Sequence, residues 1–498
     1  MCINKFLSTK NFHYLMTIIG KFIIDENELL NDVDQLLKNL FPICRSIMGN
    51  GVRESFSILK SVTDFQIKEY PSGMQCYDWT IPDEWNIQDA FIEDSLGTKI
   101  IDFKKNNLHL VNYSISIDEC ISYDELIQHL HTLPNLPDAI PYRTSYYKRD
   151  WGFCLSYNDF IKLKKDEKYH VQINSSIIPG YLTCGEHIFD GESGQEFLFS
   201  SYCCHPSLAN DNLSGMILWI LLLRELKKQK LNHKFRFVLV PETIGAITYL
   251  FNNEKAMKNI AGGYIFTCVG GPGQFSYKPS FLENSFVDDI VDESFREFDI
   301  NYIKYKFDVN GSDESQYSAP FFKIPIGTIC RDKYYEFNYY HTSLDNLDFI
   351  KAESIIQTLQ IYLSVISKLD DLSSQDIIQK TRPISTKNNN LNKNIYKSLM
   401  PYCEPMLSKR GLYPTLGGQI EQKALDFSKI HRTRDYTLEE NITKFTGEEI
   451  DAIGWIMFYG DGQTTIEEIS NKSGIKQELL QKMAKILVKH SLVEEMGN

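Results

Sequence analysis

Apolar residues recur along this chain in two rhythms. Between residues 26 and 59 they return every three or four positions, with Leu29, Val33, Leu36, Leu37 and Leu40 on one face, which predicts helix, with a break near Gly49-Asn50-Gly51. Residues 65–81 alternate well enough for a strand or hairpin. Three later runs, around Glu196-Phe197-Leu198-Phe199, residues 235–240 and residues 262–269, are short and almost continuously apolar. Runs of that kind suit strands buried on both faces of a parallel sheet. Residues 216–226 are apolar all round, as a core helix would be, and a long helix begins near Phe349. With strands also expected near 169–173 and 181–184, strand and helix alternate as far as Leu369. The expected fold is therefore α/β, a mostly parallel sheet covered by helices on both faces.

Two stretches break the pattern. Residues 85–156 hold short β-like runs at 99–103 and 108–111, one short helix at 123–131, and the cluster Pro134, Pro137 and Pro141. They predict a small inserted α+β domain that divides the main one into 1–84 and 157–385. Polarity rises after Leu369, and residues 387–394 look like a linker. Beyond it come a helix at 448–459, a turn at Gly460-Asp461-Gly462, a short helix at 465–470, a turn at 471–474, a longer helix at 475–490 and a strand at 492–494. That order predicts a winged helix over residues 386–498. A DNA-binding module carries a positive face. Here acidic and basic residues cancel from Thr386 onward, so the expected role is packing, a protein partner or a homo-oligomer contact rather than nucleic acid.

At 498 residues, 43% hydrophobic and 23% charged, the chain has the composition of a soluble globular protein of two or three domains. Its net charge of −13 opposes general affinity for nucleic acid or anionic lipid. The 11 cysteines show no paired spacing, which fits free thiols in a reducing cytoplasm. The first 25 residues lack the pattern of a signal peptide, and no apolar run is long enough to span a bilayer.

The candidate chemistry sits where strands end. The run Ser200 to Gly215 follows an apolar strand and carries His205 and Asp211, both suited to a borderline metal such as zinc. The structural alternative makes His205 a cap and Asp211 an N-cap for the next helix. Glu242 stands at the mouth of the next strand, and His341 precedes the long helix. Cys203 and Cys204 are neighbours on a strand end, so at most one can face the site, and both read as buried small hydrophobes.

The phrases Cys204-His205-Pro206-Ser207-Leu208-Ala209-Asn210-Asp211-Asn212, Gly311-Ser312-Asp313-Glu314 and Tyr340-His341-Thr342-Ser343-Leu344-Asp345 carry a resemblance. Together the chain resembles zinc aminopeptidases of the co-catalytic, bacterial leucyl-aminopeptidase type. It is most similar to the aminopeptidase-like proteins that bacteria encode in polysaccharide-biosynthesis loci, which have an inserted small domain and a C-terminal winged helix. The resemblance implies His205, Asp211 and His341 as metal ligands and Glu242 as general base. Two imidazoles and one carboxylate leave a fourth zinc position for a water, whose proton Glu242 would take and return to the leaving amine. Where two-metal enzymes carry a second Glu and a further Asp ligand, this chain has Thr243 and Thr267, so one zinc ion is expected rather than two. Ser207 stands where those enzymes place an Asp behind the first His. Asp313, Glu314, Arg331 and Tyr335 are the candidate substrate-binding residues, the substrate being a small peptide or an aminoacylated, sugar-like amide. The alternative is a non-catalytic scaffold that works through its winged helix.

Overall fold

The computed structural model describes residues 16–192, 194–373, 375–377, 394–418 and 445–496, and an eight-stranded sheet organises it. Numbered in chain order, its strands are β1 (Gln66–Pro71), β2 (Tyr181–Phe189), β3 (Glu196–Tyr202), β4 (Lys234–Val240), β5 (Ile260–Phe266), β6 (Phe275–Lys278), β7 (Ile303–Lys304) and β8 (Ile326–Arg331). They lie in the order β7-β6-β8-β5-β3-β4-β2-β1. The central four are parallel, and antiparallel pairing joins β6 to β8 at one side and β4, β2 and β1 at the other.

Successive side chains on a strand enter opposite cores. Phe197 and Phe199 of β3, with Phe235, Phe237 and Leu239 of β4, pack on one face against the helices Gly215–Leu226 and Ala352–Asp370. Leu198, Tyr202, Val238 and Val240 enter the other face, against the helix Ile244–Asn252 and the small inserted sheet. Burial on both faces explains why these strands read as unbroken apolar runs.

The helix expected over residues 26–59 is two helices, Glu26–Leu40 and Asn50–Val62. Pro42 has no N–H for a helical bond. Gly49 adopts φ +130°, and a Cβ there would lie 2.3 Å from the Trp85 carbonyl oxygen. The break carries Arg45 beneath the strand ends, where it is completely buried.

A four-stranded antiparallel sheet contains Glu84–Glu93, Lys99–Asp102, Ile117–Ser122 and Lys168–Ile178. The last of these was expected in the main sheet; it pairs instead with Glu84–Glu93 and Ile117–Ser122. Tyr169, Val171 and Ile173 point into its core while the residues between them are more exposed, the alternation of a sheet with one wet face. Residues expected as a strand at 108–111 include the 3-10 turn Asn107–His109, and the helix expected at 123–131 shortens to Tyr123–Leu126 followed by a 3-10 turn.

Beyond residue 394, the helices Gly447–Phe458, Ile466–Ser473 and Gln477–Lys489 accompany a three-stranded sheet of Asp461–Thr465, Ile395–Ser398 and Val493–Glu495. Capping boxes at Thr446/Glu449 and Thr465/Glu468 start the first two helices. Asp461–Thr465 is a strand where only a turn was expected. Trp455 and Ile456 share an apolar cluster with Phe307 and Val309, so this part rests directly on the main domain. Among the described residues no helix is long and apolar enough to cross a membrane. The expectations for residues 1–15 and 387–393 lie outside the described residues.

Candidate metal centre and substrate cleft

The polar loop after β3 is held by its own side chains. Asn210 Oδ1 accepts the N–H groups of Gly270 and Gly271 at 2.9 and 3.0 Å. Asn212 Nδ2 donates to Ser201 Oγ and to the carbonyls of Tyr202 and Phe266. Ser214 Oγ donates to the Asn210 carbonyl and accepts the Val269 N–H. Gly215 leaves no room for a side chain, since a Cβ there would lie 2.4 Å from the Phe266 oxygen. From outside, Asp345 accepts the N–H groups of Asn210 at 2.6 Å and Asp211 at 2.9 Å. Most of the Asn-Asp-Asn-x-Ser-Gly phrase thus braces a single group, the Asp211 carboxylate, and the capping role weighed for Asp211 is not what the loop shows.

His205 follows on the same loop. Its carbonyl accepts a 3.0 Å bond from the Arg45 guanidinium, which also donates to the Leu40 carbonyl. Ser207 does not support the ring; its hydroxyl bonds the Phe41 carbonyl and Asn107. His341 adopts a positive φ of 54°, and its loop is pinned by the Tyr142 N–H donating to the His341 carbonyl at 2.8 Å. Its ring stacks on Tyr340 with centroids 3.9 Å apart.

These loops bring three predicted groups together. Donor atoms of His205, Asp211 and His341 all lie within 4.8 Å of one another, and all three residues are buried. His341 Nε2 is 2.9 Å from Asp211 Oδ2, yet neither atom has a hydrogen-bond partner of acceptable geometry. Buried polar atoms are rarely left this way unless something else satisfies them. Burial pushes the His205 imidazolium down to about 4, so the ring is neutral, the form that binds metal. Burial alone would raise the Asp211 carboxyl, but His205, His341 and Tyr202 together hold it below the usual range. Two imidazoles and an ionised carboxylate fit a divalent zinc ion.

The other oxygen of Asp211 is occupied. Asp211 Oδ1 accepts from the Tyr202 hydroxyl, which lies 2.6 Å from Thr267 Oγ1. Sequence reasoning missed Tyr202, although alternation signals it: Tyr202 and Cys204 fall on one face of the strand end and Cys203 on the other. Cys204, read from sequence as a buried hydrophobe, turns its sulfur to the site. It accepts the Glu242 N–H at 3.2 Å, lies 3.5 Å from His205 Nδ1, and forms a second ligand-type group with His205 and Glu242.

Glu242 leaves β4 with its carboxylate 3.7 Å from His205 Nε2. Desolvation in the cleft, then the charges of Asp313 and Asp211, push its carboxyl well above the usual range. Asp313 is likewise pushed up by burial; it accepts the Thr243 N–H at 2.7 Å and steadies the turn from behind.

The remaining predicted residues separate. Glu314 is not at the cleft surface but bonds Lys278 Nζ and the Tyr334 hydroxyl, each at 2.5 Å. Burial would raise its carboxyl, but Lys278 and Tyr334 hold it below the usual range. Asp313 also lies behind the surface rather than on it. The Arg331 guanidinium turns away altogether, bonding the Gly273 carbonyl and Gln357 over the Phe275 ring. Contacts within the fold thus satisfy Glu314 and Arg331, and of the four candidate substrate-binding residues only Tyr335 lines the cleft. That cleft, of about 370 Å³, opens above His205, Glu242 and His341.

A mixed α/β sheet with this cluster at the carboxyl ends of its parallel strands defines an aminopeptidase-like protein. The fold matches BSAP, a zinc aminopeptidase from Bacillus subtilis, with a TM-score of 0.52 over 70% of this chain and 95% of that one, at 12% identity. The chain belongs to the family described as a domain of unknown function (DUF4910), which matches residues 34–371. A Clostridium acetobutylicum protein named for polysaccharide biosynthesis and an aminopeptidase-like domain is 37% identical over 479 residues, spanning 96% of this chain and 100% of that one. The crystal structure of a candidate peptidase from the same species matches with a TM-score of 0.67 at 35% identity, covering 95% of this chain and 99% of that one.

Proposed function

We propose that this protein is a single-zinc hydrolase that cleaves an amide of a small peptide or of an aminoacylated, sugar-like molecule. One observation carries the reading: Asp211 has divided its oxygens. Oδ1 is taken by Tyr202, and Oδ2 faces the open space shared with His205 and His341. With Oδ1 engaged by the Tyr202 hydroxyl, itself bonded to Thr267, Oδ2 is the oxygen Asp211 has left to offer a cation.

His205 Nε2, Asp211 Oδ2 and His341 would hold the zinc ion. When bound, it supplies Lewis acidity toward a carbonyl oxygen and toward water. Glu242, beside His205, takes the proton of the attacking water on its carboxylate and delivers it to the departing nitrogen. Its raised proton affinity suits that return step. Asp313 fixes the backbone of the turn from which Glu242 projects, and Tyr335 is placed to touch substrate. The relative named for polysaccharide biosynthesis makes aminoacylated sugars, beside dipeptides, the first substrates to try. By the same reading residues 1–84 and 157–385, less the strand Lys168–Ile178 that shares the sheet of the insert, form the aminopeptidase-like domain, and residues 386–498 form a winged helix.

The test is elemental analysis of zinc-loaded protein, then hydrolysis of aminoacyl amides with and without chelator, repeated on Glu242→Gln. One zinc per chain, chelator-sensitive hydrolysis and its loss in the variant are expected. Two ions per chain would overturn the single-zinc assignment, and full activity in Glu242→Gln would overturn the mechanism. One zinc with no hydrolysis of any amide would favour a binding scaffold.

A further inference from the structure

Three parts of the chain enclose the cleft. The strand-end loops form its floor, Tyr142, Thr144 and Tyr146 form one side, and the far wall comes from Glu404, Tyr413 and the helix Gly447–Phe458. The sequence suggested packing or a protein contact for that C-terminal part, and its first helix presents Gly454 and Phe458 to the cleft.

Gly454 is the informative residue. It lies inside a helix, where glycine costs about 1 kcal/mol relative to alanine. Its backbone is not left-handed, and it caps nothing. A Cβ there would touch only Val309 Cγ2, at an ordinary 3.6 Å. Neither conformation nor close packing therefore calls for glycine, and what its missing side chain preserves is space in the cleft.

The charge of the cleft is equally one-sided. Among the described residues that line it, Glu242 and Glu404 are the acids, and there is no lysine or arginine. With no basic side chain among them, these walls offer carboxylates and phosphates no ion-pair partner, while Glu404 favours a cationic group. Trp79, Tyr147 and Tyr413 add flat surfaces for apolar faces.

We propose that the C-terminal domain is the specificity wall of this cleft, with Gly454 and Phe458 bounding a pocket that admits neutral or cationic substrate groups and refuses anionic ones. The inference rests on the hydrolase reading of the same site. It makes Gly454 and Phe458 specificity residues and gives the C-terminal domain a function in substrate choice.

The test is calorimetric binding of leucine, lysine, tryptophan and aspartate hydroxamates to zinc-loaded, full-length protein. Leucine and lysine hydroxamates are expected to bind at least tenfold more tightly than the aspartate compound. Gly454→Phe, which fills the pocket, is expected to weaken leucine hydroxamate at least tenfold at unchanged zinc content. Phe458→Ala, which widens it, is expected to shift preference toward tryptophan hydroxamate, so the idea stays testable if the first variant misfolds. Unchanged binding in folded variants, or aspartate hydroxamate binding as tightly as lysine hydroxamate, overturns the wall while leaving the hydrolase reading intact. If no hydroxamate binds the wild-type protein and no amide is cleaved, both fall together.

Discussion

Asp345→Asn tests how the ligand loop is held. Asp345 is completely buried. Its carboxylate receives the Asn210 and Asp211 N–H groups at 2.6 and 2.9 Å, and its backbone carbonyl receives the Ala209 N–H at 2.9 Å. Asparagine keeps the shape and the backbone bond, but its amide can accept only one of the two side-chain bonds and turns an NH2 toward the other donor. Burial pushes the Asp345 carboxyl up to about 8, so near neutral pH the lost bond is a neutral one worth about 0.5–1.5 kcal/mol, and a buried donor left without an acceptor costs about 1–3 kcal/mol more. The expected loss of stability is therefore about 1.5–4.5 kcal/mol. The substitution also loosens the orientation of Asp211, which opposes cation binding. Loss of such support behind a ligand costs about 10–100-fold in metal affinity. Chemical denaturation of metal-free protein reads the first effect, and zinc titration against a competing chelator reads the second. A variant matching the wild type in both denaturation midpoint and zinc affinity would refute the role given to Asp345.

Three further expectations follow from the same contacts. Lys278→Met strands the buried Glu314 carboxylate and should cost about 3–5 kcal/mol in thermal or chemical denaturation. Because Glu314 sits below its ordinary range when paired, its contribution is present above the unfolded carboxyl range and lost as pH falls through the folded one; the cost must shrink at low pH, and a constant difference would contradict the pairing. In chelator-treated protein, His205 titrates near 4 when folded against 6.5 unfolded, so the unfolded chain binds more protons between those values. Stability should rise from pH 4 to 6.5, by at most about 3.4 kcal/mol from this group; melting temperature against pH should flatten in His205→Asn, and an identical slope would count against the burial of that ring. Arg331→Ala should leave zinc affinity and KM unchanged, because its guanidinium is engaged at Gly273 and Gln357; a raised KM would return Arg331 to the substrate site.

The parts of the fold legible in sequence were those with a local signature. Apolar runs such as Phe235 to Val240 read as two-sided strands because both faces are buried, and the apolar stretch after Ser214 read as a core helix because it is one. Lys168–Ile178 was placed in the wrong sheet because pairing is non-local: its alternation says that one face is wet, but not which neighbour it joins. The same limit explains the site. His205, Asp211 and His341 could be named because strand ends are where polar groups collect, and the structure brings them together. Arg331 and Glu314, expected at the substrate, are engaged within the fold instead, because a charged residue near a site can be consumed by a contact far along the chain, here Gln357 and Lys278.

Tyr202 shows the reverse case and bears most on the chemistry. The threonines at 243 and 267 could be read as lost carboxylates, which leaves open whether a second ion is merely weakened or structurally replaced. Under the single-zinc proposal the two hydroxyls stand in for that ion: Thr267 meets Tyr202, and Tyr202 meets Asp211 Oδ1. A threonine alone would leave a buried polar void beside an ionised carboxylate, an expensive arrangement. Paired with a tyrosine whose ring belongs to the apolar core under the sheet, it makes a satisfied network that keeps Asp211 ionised and aimed at one side. Restoring a carboxylate at residue 267 without removing the Tyr202 hydroxyl is therefore expected to leave elemental analysis at one zinc per chain, and a second ion in that variant would refute the single-zinc proposal.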